Sequence, residues 1–212
     1  MIYFGKLILI FTKMTKIAFR YSRPYDVHWD KWFKLKPDST EREMLEKIEI
    51  EDVTHQLEKA WNLIEKDIIG EISGALRLGW EEEEIVCYIT SNAHGISDPM
   101  TVGINDRNLD RIIGTIIHEL AHRIFIQEEN KNLAEPAWNW IKGEYAKESL
   151  ITQIHIVCHS LLKHLYLKFF DNERLNQNIA RHQKYDDYKK AWEIVEKEGY
   201  QKILDDFVKR YD

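Results

Sequence analysis

The chain has 212 residues, of which 44% are hydrophobic and 31% charged, a composition typical of a folded globular protein with one sizeable core. Thirty basic against 36 acidic residues give a formal net charge of -6, which argues against the broad basic surface that nucleic-acid binding requires. Two cysteines cannot form a disulfide framework or a four-cysteine metal site, so metal ligands must be sought among the carboxylates and the nine histidines.

The start of the chain carries a strongly apolar run at residues 7–11, which is too short to span a bilayer. No small-residue cleavage site follows it. We therefore expect a cytoplasmic protein with no membrane partner. Because Met14 offers a second start, we interpret residues 1–13 as an extension outside the folded unit and residues 14–212 as a single domain.

The first third of the chain predicts one strand followed by helix. Residues 16–21 alternate and carry β-forming side chains, which predicts a strand, and the aromatic-rich stretch 25–33 predicts a packed loop or a short helix. A capping box then opens the stretch 40–78, in which apolar residues recur at near-helical spacing. This pattern predicts a long helix with a break near Gly70 or Gly74.

The rest of the chain predicts two more strands and then helices. Residues 85–90 and 100–104 are short and β-branched, and the turn-forming residues 91–99 between them predict a hairpin with a long loop. The apolar run 109–126 has helical spacing, and the chain from residue 137 onward predicts three more helices. These elements predict an α+β fold with a small mixed sheet and a mainly helical C-terminal half.

The helix predicted over 109–126 contains the sequence His-Glu-Leu-Ala-His at residues 118–122. Residues four apart lie on one helix face, so His118 and His122 can present imidazole nitrogens to one metal ion, while Glu119 can reach water bound there. The helix is otherwise largely apolar, and polar residues buried in it need partners or a cavity. The alternative without a metal is a pair of satisfied core histidines beside an ion-paired glutamate.

A third ligand is expected elsewhere, because catalytic zinc usually has three protein ligands and one open position. In the next polar-striped helix, Glu148, His155 and His159 fall close together on a helical wheel. His155 lies between apolar neighbours and is the first choice, with Glu148 second and Glu144 and Glu135 behind them. The alternative for His155 and His159 is a pair of core-edge histidines without a metal role.

Residues 116–123, with the strand predicted before them and the polar-striped helix after them, resemble the zincin metallopeptidases, most closely their compact gluzincin-like forms. The resemblance implies that this strand is an edge, upper-rim strand on which an extended substrate pairs, and that a backing helix packs against the sheet. It also implies zinc bound by His118 and His122, with Glu119 polarising the attacking water. Gluzincins use a glutamate as the third ligand, a pattern from which His155 departs.

The sequence thus predicts a zinc-dependent metallopeptidase acting on a peptide or protein substrate. Zinc held by His118, His122 and His155 would acidify a water molecule and polarise the scissile carbonyl, with Glu119 as general base. His159, one turn beyond His155, is the candidate donor to the developing oxyanion, and a supporting or surface role is its alternative. The alternative function is a non-catalytic zincin-fold module with an interaction or regulatory role. The sequence does not indicate which oligomeric state the protein adopts.

Overall fold

The computed structural model describes residues 15–32, 40–105 and 107–212, so the extension predicted at 1–13 lies outside the described residues. The strands are β1 (Lys16–Tyr21), β2 (Glu84–Thr90), β3 (Ile96–Ser97) and β4 (Met100–Gly103). The helices are α1 (Arg23–Trp32), α2 (Thr40–Asn62), α3 (Glu65–Leu76), α4 (Leu109–Ile126), α5 (Glu128–Leu133), α6 (Glu135–Glu144), α7 (Leu150–Phe169), α8 (Asn172–His182), α9 (Asp186–Glu198) and α10 (Tyr200–Val208). The predicted α+β class and the mainly helical C-terminal half are confirmed.

The strands form one mixed sheet in the order β1-β2-β4-β3. Both β1 and β4 run parallel to β2, with Ile17 opposite Ile85 and Ile89 opposite Val102, whereas β3 is antiparallel to β4. The chain reverses after β2 and again after β3, and β4 inserts between them. The predicted hairpin between β2 and β4 is therefore wrong, because β3, within the predicted loop 91–99, is too short to show an alternating pattern.

The strand predicted as the upper rim is not at an edge of the described sheet. Thr101 of β4 pairs with Ile96, and Met100 pairs with Ser97, so β3 covers the first half of β4. The prediction that residues 100–104 form the edge strand is therefore wrong. The prediction fails because the two-residue strand β3 takes the edge position beside β4.

The long helical stretch is broken just before Glu65 and not at a glycine. One carboxylate oxygen of Glu65 accepts hydrogen bonds from the backbone N–H of Ile17, at 2.7 Å, and from the indole N–H of Trp61, at 2.9 Å. These bonds tie the start of α3 to β1 and to the end of α2. Gly70 and Gly74 lie inside α3, where neither has a neighbouring atom within 4 Å of an added Cβ.

The chain beyond residue 134 forms five helices, α6 to α10, where the sequence predicts three. Polar caps and a glycine make the additional breaks. Asp171 accepts the backbone N–H of Arg174 at the start of α8, and Gly199, with a φ of 89°, separates α9 from α10. The aromatic stretch predicted as a loop or short helix begins within α1.

Helix α4 is the element around which the site is built. Its apolar residues Ile116, Ile117 and Leu120 are fully buried, and the helix contacts β3 and β4 of the sheet as well as α7 and α8. The histidines of α4 therefore lie inside the molecule between sheet and helices. In the part of the chain that the structure describes, no helix combines the length and apolarity that crossing a membrane requires.

Candidate metal centre

Five histidine rings from three helices meet beside α4. His118 and His122 come from α4, His155 and His159 from α7, and His182 from the end of α8. Among the described residues, the set His118, His122 and His155 and the set His118, His159 and His182 each offer three ligand nitrogens within 4.8 Å of one another. The structure thus brings together all four histidines singled out from the sequence and adds a fifth.

The two motif histidines are held by the regular geometry of α4. Asn108 caps the helix by accepting the backbone N–H of Arg111 at 3.1 Å. Four residues apart on one face, His118 and His122 bring their Nε2 atoms within 3.0 Å of each other. Because Zn–N bonds are about 2.0–2.1 Å, two ligand nitrogens of a tetrahedral site lie about 3.3 Å apart. The pair therefore lies close to the spacing that a shared metal ion needs.

His155 is oriented for metal binding by its own helix. Its Nδ1 lies 2.7 Å from the backbone carbonyl oxygen of Ile151. A carbonyl can only accept, so Nδ1 donates a proton and the lone pair of the neutral ring resides on Nε2. That Nε2 atom is buried and has no hydrogen-bond partner among the residues that the structure describes. A buried acceptor without a partner is unfavourable, and a metal ion at the triad would satisfy it.

The carboxylates considered as third ligands lie elsewhere. Glu148 precedes α7, and one of its carboxylate oxygens lies 3.8 Å from Nζ of Lys190. Glu144 and Glu135 are exposed. None of these carboxylates belongs to either group of candidate ligands among the described residues. The structure therefore favours His155 as the third ligand.

Glu119 directly follows His118 on α4 and occupies a confined position. Its side chain is buried, and a Cβ added to Gly95 would lie 2.2 Å from Oε1 of the carboxyl group. Desolvation by burial raises the pKa of Glu119 to about 8. A carboxyl group whose pKa lies near neutrality can take up and release a proton in that pH range, as a general base must.

A cavity of about 500 Å³ opens onto the cluster. Its walls include His118 and Glu119 from α4, His182 from α8 and Tyr188 from α9. This volume lies within the range of small-molecule sites in proteins. Through this cavity His118 of the triad and Glu119 are reachable from outside, which a purely structural metal site does not need.

His159 is the residue predicted to donate a hydrogen bond to the oxyanion. It is fully buried and is not among the residues that line the cavity. Its ring stacks on Trp192, with 4.4 Å between ring centroids, and neither ring nitrogen has a hydrogen-bond partner in the described structure. The described structure therefore gives no support for the predicted oxyanion contact of His159.

Sequence reasoning missed His182 and Tyr188. Trp192 donates its indole N–H to Nδ1 of His182 at 3.2 Å, so the proton of the neutral His182 ring lies on Nε2. The ring of Tyr188 stacks on His155 with 3.9 Å between centroids, and burial raises the pKa of its phenol to about 12. Both groups are therefore hydrogen-bond donors at neutral pH. No spacing signal links them to the motif, because packing of α8 and α9 brings them there.

Burial keeps all five imidazoles neutral. Desolvation lowers the pKa of His122 and of His182 to about 3, and it holds the pKa of His118, His155 and His159 below the ordinary value. Neighbouring histidines lower most of these values further, because a second positive charge in the cluster is unfavourable. A neutral ring with an available lone pair is the form that binds metal ions.

Comparison of the chain with protein-family models, with curated proteins and with solved structures found no match. The likeness to zincins therefore depends on the motif at residues 118–122 and on its surroundings. Function must be argued from the chemistry of these side chains.

Proposed function

We propose that the protein is a zinc-dependent peptidase that hydrolyses bonds in a peptide or protein substrate. The observation that carries the proposal is the convergence of one nitrogen each from His118, His122 and His155, with the Glu119 carboxyl lining the cavity beside them. Three protein ligands leave a fourth position open, which is typical of catalytic zinc and not of structural zinc.

The donor set supports zinc as the ion. Three neutral imidazoles are ligands that suit borderline transition metals. Among these metals we favour zinc, because it has no redox chemistry and supports hydrolysis. When bound, the ion supplies Lewis acidity, which polarises a carbonyl group and lowers the pKa of water. His155 is suited to be a zinc ligand because its Nδ1–H donates to the backbone carbonyl of Ile151, which leaves Nε2 as the ligand atom.

Glu119 supplies the proton transfers in the proposed mechanism. Its carboxylate takes a proton from the attacking water and returns it to the amine that leaves the cleaved peptide bond. The side chain is suited to this because it is buried beside the cavity and because Gly95 leaves room for its carboxyl group. Such a group typically contributes a factor of about 10²–10⁴ to the rate.

Two donors on the cavity wall replace His159 in the proposed oxyanion contact. Nε2–H of His182, fixed by the bond from Trp192, and the phenol of Tyr188 both belong to residues that line the cavity. Loss of one such donor typically costs roughly 3 kcal/mol of transition-state stabilisation. We also assign the proposed upper rim to β3, because Gly95, on the cavity wall, directly precedes it.

Metal analysis combined with a cleavage assay tests the proposal. Purified protein should contain one zinc per chain, and a mixture of unfolded proteins should be cleaved by the zinc-loaded protein and spared when a chelator is added. Glu119→Gln should retain zinc and lose at least about a hundredfold in rate. Glu144→Gln, at an exposed position, is the matched control and should retain both.

Two outcomes would contradict the proposal. Full activity in zinc-loaded Glu119→Gln protein would remove Glu119 from its role. Zinc-loaded wild-type protein that cleaves none of the mixture, while its fold is intact, would instead favour the non-catalytic module.

A further inference from the structure

We propose that Cys158 is a positioning residue of the metal centre: its sulfur accepts a hydrogen bond from Nδ1 of His122 and thereby orients that ring. The inference rests on the proposed function, because it concerns how this chain holds a ligand of the proposed zinc site.

The contact itself is direct. Sγ of Cys158 lies 3.3 Å from Nδ1 of His122, while the Nε2 atom of the same ring faces His118 at 3.0 Å. An imidazole that binds a metal through Nε2 carries its proton on Nδ1, and that proton needs an acceptor. In the described structure, the sulfur of Cys158 is the hydrogen-bond partner of Nδ1 of His122.

The sulfur is a partner of a ligand and not a ligand. Cys158 is fully buried and belongs to neither group of candidate metal ligands. A thiol sulfur is a weak acceptor, and here it lies within 3.3 Å of Nδ1 of His122.

Helix α7 therefore orients two of the three proposed ligands. Cys158 follows His155 by three residues, so the two side chains lie on one face of α7 in adjacent turns. His155 is oriented by the carbonyl of Ile151 in the same helix, and His122 is oriented across the interface with α4. The Cys158 contact thus couples the packing of α7 on α4 to the direction of a ligand lone pair.

The test compares the two cysteines of the chain. Cys87, on β2, is also a fully buried free thiol, so Cys158→Ala and Cys87→Ala remove the same atom from equally buried sites. Zinc affinity is measured by competition with a chromophoric chelator, which requires no catalysis. We expect Cys158→Ala to weaken zinc binding about 10–100-fold, as loss of such partners typically does, and Cys87→Ala to leave it unchanged.

Cys158→Ser is the second variant and retains an acceptor. We expect its zinc affinity to lie between those of wild type and Cys158→Ala, and its result decides the matter if Cys158→Ala does not fold. Equal affinities in both alanine variants, or a serine variant as weak as a folded alanine variant, would overturn the inference.

The proposed function can fail separately. Zinc-binding protein that cleaves nothing would contradict the peptidase while a selective effect of Cys158→Ala still supports the inference. Wild-type protein that binds no zinc would overturn both.

Discussion

Gly95 lies against the carboxyl group of Glu119 so closely that an added Cβ would stand 2.2 Å from Oε1. The same Cβ would lie 2.8 Å from the methyl group of Thr115. Non-bonded heavy atoms do not approach to these distances, so the absence of a side chain at position 95 is required for the observed position of Glu119. The loop before β3 thereby sets the place of the proposed general base.

Gly95→Ala should therefore separate zinc binding from turnover. The added methyl group displaces the Glu119 carboxyl group, and a shift of about 1 Å in a catalytic group can cost about a hundredfold in rate. The ligand atoms of the triad lie on other residues, so zinc content should be unchanged. Peptide hydrolysis and metal content measured on the same preparation check this expectation.

Gly70→Ala is the matched control for that substitution. Gly70 is exposed within α3, and nothing lies within 4 Å of its added Cβ. Alanine favours the helix by roughly 0.5–1 kcal/mol, so this variant should melt at a slightly higher temperature and keep full activity. If Gly95→Ala is as active as Gly70→Ala, the close approach has no bearing on turnover.

The part of the site that follows helical periodicity was predictable. His118 and His122 share a face because they are four residues apart, and His155 lies on the inward stripe of its own helix. The position of His182 depends instead on how α8 packs beside α4, and that of Tyr188 on how α9 packs on α7. Such packing is not encoded in local spacing.

The fold shows the same division between local and non-local signals. Six-residue and seven-residue strands such as β1 and β2 carry enough alternation to be located, but the two residues of β3 do not. Because the sequence pattern does not reveal β3, it predicts β4 at the edge of the sheet and antiparallel to β2. The break before Glu65 depends on a hydrogen bond to Ile17, 48 positions away, which no local pattern contains.

Zinc content should distinguish the two candidates for the third ligand. His155→Ala removes one of the three ligand nitrogens of the triad, so we expect the bound zinc to fall well below one equivalent after dialysis. Glu148→Ala removes a carboxylate near Lys190 and should retain full stoichiometry. Elemental analysis of both variants gives the answer. The reverse result would restore the glutamate ligand of the gluzincin pattern.

Arg123 should stabilise the fold more than an ordinary surface arginine. Its guanidinium donates to both carboxylate oxygens of Glu82, at 2.9 and 2.6 Å, and to the backbone carbonyl of Ser97 at 2.6 Å, and its side chain is 14% exposed. This arrangement ties α4, immediately after His122, to the end of β3. We expect Arg123→Ala to lower the free energy of unfolding by about 2–3 kcal/mol, because partly buried charged groups lose their partners.

Urea denaturation of Arg123→Ala beside Arg20→Ala measures this difference. The pair of Arg20 with Glu84 is also short, at 2.9 Å, but both side chains are more than half exposed. An exposed pair contributes about 1 kcal/mol or less. Equal losses in the two variants would show that the contacts of Arg123 add nothing beyond an exposed ion pair.

Glu71 should make stability depend on pH in the acid range. Burial of this α3 carboxylate opposes its ionisation, but hydrogen bonds and charge from Lys168 and His164 on α7 outweigh that effect and lower its pKa. A carboxylate whose pKa is lower in the folded state stabilises the fold above its unfolded pKa of about 4.5, and that contribution disappears as pH falls through the folded pKa. Glu71→Gln should therefore cost about 0.5–1 kcal/mol at pH 7.

The same variant should differ less and less from wild type as the pH is lowered below 4.5, because protonated Glu71 resembles glutamine. Urea denaturation curves at pH 7 and at successive acid pH values measure the convergence. Glu196→Gln is the control, since Glu196 also binds a lysine of α7, Lys163, but is 51% exposed, and it should change stability by less than about 0.5 kcal/mol throughout. A constant difference between wild type and Glu71→Gln across the acid range would mean that the glutamine changes packing and that the carboxylate charge contributes nothing.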